Sequence, residues 1–337
     1  MTPNFLAIPF GMAGLGTVWR TMASTYGTPS GVADCLVVLA AVVWLIVVAG
    51  LLARLIDTPG LLLEDLRHPI LTPFYSLVWV DLMAIAVGFQ PIAAVPAKAC
   101  FIVAFIATIL FGGLITGQWI SIPLDRAKLH PGYFLPTVAG GLLGAEGAAE
   151  FGLHNLGWFS FGIGLICWVV LGSVVINRLF LDPPLAAPLI PALTIELAPP
   201  ALAGGAYFAL HGPVPGPIPY GFAGYAVLMV LVQVRLLPIY IRTPFSAGFW
   251  SFTFPWCAAV VLAVHWLAIE RPSGATVWAA LAAAAVSLLI AAISARSVIE
   301  IARGTFLPPA AAPVQAPAVD TVAAPESEPL VAPPQTA

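Results

Sequence analysis

Ten apolar runs, each long enough to cross a bilayer, dominate this sequence. They cover residues 4–25, 31–53, 69–90, 97–120, 132–152, 156–180, 191–211, 218–241, 246–268 and 274–302. A transmembrane helix needs about 20 mostly apolar residues, so every run qualifies by length. The connections are short, the longest being 54–68, 121–131 and 181–190, and none has room for a water-soluble domain. Only 8% of the 337 residues are charged and 61% are apolar; ordinary soluble domains have about 25% and 45–50%. So few charges cannot cover the surface of a soluble globule, which excludes a soluble enzyme, a nucleic-acid-binding protein and a disordered scaffold. The expected fold class is an all-α polytopic membrane protein of ten transmembrane helices. Residues 1–303 form the expected ten-helix transmembrane domain. Residues 304–337 are rich in proline and alanine, carry Asp320, Glu326 and Glu328 but no Lys or Arg, and cannot bury a core. They are expected to be a disordered cytoplasmic tail.

Basic residues set the expected orientation. Arg54, Arg67, Arg126, Lys128, Arg178, Arg235, Arg242, Arg296 and Arg303 fall on the side shared by the two termini, whereas Arg20, Lys98 and Arg271 fall opposite. This bias places both termini in the cytoplasm. No basic stretch precedes the first apolar run, so no cleavable signal peptide is expected. No span carries a ladder of arginines of the kind that senses voltage.

Proline divides the spans into two sets. The odd ones carry Pro9, Pro69 and Pro73, Pro136, Pro199 and Pro200, and Pro255. Spans 2, 6 and 10 carry none, and spans 4 and 8 carry proline only near their ends (Pro96, Pro219, Pro238). The chain therefore reads as five two-helix units, each a bent helix followed by a straight one. Proline removes a helix hydrogen bond. In hydrocarbon the freed carbonyl is tolerated where it is buried in protein or lines an aqueous cavity. Five bent helices inside and five straight ones facing lipid describe five hairpins around a central pore; the alternative is that the prolines merely kink packed helices.

Membrane-depth charges fall in the same set. Asp81, Glu146, Glu150, Glu196 and His265 all lie on odd spans. Buried ionisable groups usually face a bundle interior or an aqueous path, though each of these acids also fits a neutral helix–helix contact. Gly113/Gly117 and Gly140/Gly144 have the spacing that lets helix backbones approach. Cys35, Cys100, Cys167 and Cys257 are far apart within apolar runs and read as small buried hydrophobes. The five histidines show no paired spacing, so neither a metal nor a cofactor is expected. No H-E-x-x-H or G-x-S-x-G motif suggests an enzyme.

Five segments carry a family resemblance: IPFGMAGLGTVWR at 8–20, LRHPI at 66–70, HPGYFLPTV at 130–138, PALTIELAPPA at 191–201 and PFSAGFWSFTFP at 244–255. In this order they resemble the tellurite-resistance/dicarboxylate transporter family, which includes the bacterial TehA proteins and the plant slow anion channels. The resemblance implies ten helices as five hairpins around a quasi-fivefold axis, odd helices lining a pore, and a homotrimer in the bacterial inner membrane. It implies small inorganic or organic anions as the transported partners, and no nucleic acid. It also implies a phenylalanine plug on the ninth span, matching Phe254, with Phe252 the alternative if the register slips, and Pro255 as a hinge. Pro9, Pro136, Glu196, Pro199 and Pro200 become pore-lining candidates. A carboxylate in an anion path would have to be paired, protonated or turned away, and Glu196 is such a case. The second reading is a secondary transporter of dicarboxylate, sulfite or tellurium oxyanions, proton-coupled through Glu146, Glu150 or Glu196.

Overall fold

The computed structural model describes residues 1–306; the expectation for the tail falls mostly outside them. Among the described residues the chain is all helical, with no strand. Five long helices are continuous: α2 (Gly31–Asp57), α4 (Ala94–Ser121), α6 (His154–Leu181), α8 (Pro217–Arg242) and α10 (Ala275–Ala302). Their partners are α1 (Ala7–Tyr26), α3 (Leu77–Phe89), α5 (Gly140–Glu150), α7 (Ala198–His211) and α9 (Thr253–Glu270).

Each odd helix is preceded by an irregular leader. Short 3-10 segments Pro3–Leu6 and Ala247–Phe252 lead into α1 and α9, and a longer 3-10 stretch, Ala187–Leu197, leads into α7. A short helix, Thr72–Tyr75, precedes α3. A 3-10 turn (Pro131–Phe134) and a π turn (Leu135–Ala139) precede α5. This changes the reading of the prolines. Pro199 and Pro200 sit in the first turn of α7, and Pro9 and Pro255 are third in α1 and α9. In a first turn the missing N–H would have had no intrahelical partner anyway. The prolines therefore start α-helix after tighter or wider turns rather than kinking one continuous helix.

Eight helical segments are long and apolar enough to cross a membrane. The first and fifth expected spans do not reach that threshold. α1 is diluted by Gly11, Gly14, Gly16, Thr17 and Arg20, and the fifth is split among three helix types. The connection before the third span also holds an unexpected short helix, Leu61–Arg67.

Burial separates the two sets. Over its most apolar stretch Ala187–His211 is 83% buried, whereas Pro217–Arg242 is 17% buried. Each even helix packs on the odd helix before it. The odd helices pack on one another in a closed order: α1 on α3, α3 on α5, α5 on α7, α7 on α9 and α9 on α1. Small residues make this approach possible. A Cβ at Gly11 would lie 1.9 Å from Thr253 Oγ1, so α1 and α9 meet only because Gly11 has none. Between α5 and α6, Ser160 donates to the Gly141 carbonyl at 2.7 Å. The Gly113/Gly117 pair does not behave as expected: neither position has a neighbour within 4 Å of an added Cβ, because both face outward from α4. The cysteines also depart from expectation, since only Cys257 is buried and Cys35 is exposed. On a lipid-facing helix an apolar thiol needs no cover from protein.

Polar contacts brace the leader end of the odd helices. Asp65 is buried and accepts from Arg54 Nη1 at 2.9 Å and from Tyr75 Oη at 2.7 Å. Thr72 Oγ1 donates to the His68 carbonyl at 2.6 Å. Asp65→Ala is expected to lower stability by about 1–3 kcal/mol, because it strands the half-buried Arg54 and the Tyr75 hydroxyl; thermal melts in detergent check this. His130 lies just ahead of the fifth span, fully buried, with Nδ1 accepting the Gly132 N–H at 3.1 Å. Burial pushes its pKa down to about 4, with the Ile70 backbone opposing and the Arg178 charge adding. The unfolded chain therefore takes up a proton the folded protein refuses. The stability contributed by neutral His130 is complete above about pH 6.5 and declines toward pH 4, by up to about 1.4 kcal/mol per pH unit. Melts of wild type and His130→Gln across pH 7.5 to 4.5 should converge as the pH falls; parallel curves would contradict this.

Candidate functional site

Two small cavities lie end to end inside the closed order of odd helices. The first, of about 30 Å³, is lined by Ala7, Leu77, Ala139, Ala198 and Pro255, among others. These residues sit at or beside the first turns of α1, α3, α5, α7 and α9, so five helix beginnings converge on it. The helix N-terminus is the positive end of the backbone dipole and favours an anion, although the leaders already satisfy part of each end. The side chains facing this cavity are almost wholly apolar, Phe10, Phe74, Phe134 and Trp250 among them.

The second cavity, of about 50 Å³, is lined by Gly14, Thr17, Leu143, Glu146, Gly205 and Cys257, among others. Phe254 and Leu202 line both cavities and so stand between them. The Phe254 ring is buried and stacks on the Phe10 ring, with centroids 3.7 Å apart and planes 6° apart. Gly14 also lies against the ring: an added Cβ there would come within 2.9 Å of Phe254 Cδ2. The leader behind the ring is pinned to α10 by the Trp250 indole, which donates to Ser297 Oγ at 2.9 Å. Cavities of this size hold one or a few waters but not an anion in its hydration shell.

Beyond the second cavity a vestibule of about 420 Å³ opens at the far ends of the odd helices. Arg20, Glu146, Glu150 and His265 line it. Arg20 Nη2 donates to Asp34 at 2.6 Å and to the Gly88 carbonyl at 3.2 Å, so this cation is held at the mouth by an acid on α2.

The other residues singled out by sequence fall in different places. Pro199 and Pro255 line the first cavity; Pro9, Pro136 and Pro200 do not line either cavity. The Pro136 carbonyl lies against Gly112 of α4 instead. Phe252 faces α8, edge-on to Tyr240 at 4.7 Å, and lines neither cavity. Glu196 is buried, lines neither cavity, and has Oε1 without a hydrogen-bond partner. Glu146 lines the second cavity and the vestibule, whereas Glu150 reaches only the vestibule and a lateral pocket beside Lys98. Asp81 is fully buried and both its oxygens lack partners. Sequence reading missed Phe10, Leu202 and Gly14. The available signal for Phe10 was its place in IPFG, where a phenylalanine adjoins a first-turn proline as Phe254 adjoins Pro255.

An inner set of glycine-packed helices around closed axial cavities, wrapped by apolar outer helices, defines a multi-span membrane channel or transporter. Residues 1–298 match the family model described as voltage-dependent anion channel, SLAC1. The chain belongs to this family of membrane anion channels and transporters. It is 25% identical over 256 residues to the tellurite resistance protein TehA homolog of Haemophilus influenzae, covering 74% of this chain and 76% of that one. It is 26% identical over 208 residues to the guard cell S-type anion channel SLAC1 of Arabidopsis thaliana, covering 59% of this chain and 36% of the plant protein. An uncharacterized transporter of Methanocaldococcus jannaschii is 25% identical over 232 residues, 60% of this chain and 66% of that one. The match thus spans only about a third of the plant channel.

Proposed function

We propose that the chain is an anion channel whose path runs along the axis of the odd helices and is occluded by Phe254. The observation that carries this reading is the position of that ring, which lines both cavities where they meet. A benzene ring offers no group to replace an ion's hydration shell, so it blocks by bulk and by desolvation. In this reading all ten spans cross the bilayer as five hairpins, the first and fifth being shielded from lipid and so free to be less apolar. Both termini are cytoplasmic, the membrane is the bacterial inner membrane, and the working unit is a homotrimer with one path per protomer. Small anions are drawn to the five helix beginnings on the cytoplasmic side. Pro255 lies in the first turn of α9, immediately after the plug, and the change from 3-10 to α-helix at Phe252–Thr253 gives the ring a place to hinge.

The test is electrical. Purified protein in planar bilayers under a chloride or nitrate gradient should give a small current whose reversal potential follows the anion gradient. A reversal potential that ignores the anion gradient overturns the reading.

One observation favours a second reading. Glu146 lines both the second cavity and the vestibule, which places a carboxyl on the path itself. A secondary transporter of dicarboxylate, sulfite or tellurium oxyanions would use it, with Glu150 behind it, to carry a proton. Saturable uptake of such an anion into liposomes, stimulated by a proton gradient and abolished in Glu146→Gln, would favour this carrier.

A further inference from the structure

We infer that the closure is made by two rings: Phe10 of α1 is a second plug in its own right, lying on the first-cavity side of Phe254. The inference rests on the reading of Phe254 as a plug and extends it to another helix.

Phe10 is buried and lines the first cavity, and it is absent from the lining of the second. Phe254 lines both. An anion leaving the first cavity therefore meets Phe10 before or together with Phe254. The two planes lie within 6° of parallel at 3.7 Å between centroids, which makes one slab two rings thick. A nearly eclipsed stack is not the arrangement aromatic pairs prefer in isolation, since offset or edge-on packing relieves the repulsion between ring faces. Here the neighbours hold the pair in place. Gly14 of α1 sits against Phe254 and leaves no room for a Cβ, and Gly11, one residue after Phe10, lets α1 approach Thr253 directly. Thr253 in turn donates to the Trp250 carbonyl at 2.7 Å, fixing the turn that presents Phe254. Removal of one ring leaves the other on the path, so a single alanine variant opens the pore only in part.

The experiment compares currents in planar bilayers from wild type, Phe10→Ala, Phe254→Ala and the double variant, each first shown by light scattering and a thermal melt to be folded with unchanged oligomeric state. The decisive comparison is made in the Phe254→Ala background, where no Phe254 ring remains for Phe10 to position. There Phe10→Ala should raise the anion current a further severalfold. Phe10→Leu, which keeps apolar bulk and guards against loss of fold, should give an intermediate rise. A rise with Phe10→Ala in wild type but none in the Phe254→Ala background would show that Phe10 only positions its partner, and would overturn the proposal. No effect in either background would overturn it as well. If none of the four proteins passes an anion current, the underlying channel reading fails instead, and that outcome is distinct from a Phe254→Ala current indifferent to residue 10.

Discussion

Phe254→Ala should raise anion current through the protein on the order of tenfold or more, while the reversal potential stays tied to the anion gradient. The ring, with Leu202, lines both axial cavities. Its loss adds the volume of the ring to adjoining spaces of about 30 and 50 Å³. In the proposed reading its barrier is that of stripping water from an ion with nothing offered in return, and a change of about 1.4 kcal/mol in a barrier is a factor of ten in rate. Phe254→Leu should produce a smaller rise, because leucine is also apolar and nearly fills the site. Deleting a buried phenylalanine commonly removes about 3–5 kcal/mol of stability, so the alanine variant must be shown to remain assembled. Leucine removes far less bulk and gives the graded comparison. Equal currents from wild type, Leu and Ala would remove Phe254 from the path.

Gly141→Ala should lower stability without touching the axial cavities. A Cβ there would sit 2.5 Å from the backbone nitrogen of Gly164 and 2.6 Å from its Cα. Backbone cannot swing aside as a flexible side chain can, so α5 and α6 must separate. Overpacking of this kind costs about 1–3 kcal/mol, and a contact between two backbones belongs at the upper end. The Ser160 hydroxyl bond to the Gly141 carbonyl would be stretched by the same movement. Gly113→Ala is the matched control: nothing lies within 4 Å of its added Cβ. It should change stability by less than about 0.5 kcal/mol. A melting temperature lowered by Gly141→Ala and unmoved by Gly113→Ala is the expected pattern; equal shifts would contradict the assignment of α5–α6 as the close contact.

That contrast shows what the sequence does and does not carry. The Gly-x-x-x-Gly spacing is the same at 113/117 and at 140/144, yet only the second pair packs, because spacing places residues on one face without saying which helix that face meets. The division into inner and outer helices was legible, since proline and membrane-depth acids accumulate where lipid does not reach. The nature of the bends was not: hydropathy is blind to hydrogen-bond register, so 3-10 and π turns before α-helix looked the same as a kinked helix. Phe254 emerged from the FWSFTFP motif, whereas its partner Phe10 lies at the other end of the chain. No local pattern pairs the two. Only the closure of α9 onto α1 does so, and that closure depends on Gly11. Glu196 was conspicuous beside two prolines, but its position in a 3-10 leader turns it away from both cavities.

Cys257 provides the most direct test of the central claim, that anions travel along this axis past Phe254. It lines the second cavity, immediately behind the ring, and is the one buried cysteine among the four. A negatively charged methanethiosulfonate reagent would be added on the first-cavity side during a bilayer recording. In the Phe10→Ala/Phe254→Ala double variant it should pass both vacated ring positions, modify Cys257 and stop the current, and Cys257→Ala in the same background should abolish that block. Current through the double variant that persists after Cys257 is shown by mass spectrometry to be modified would mean that the anions take another route.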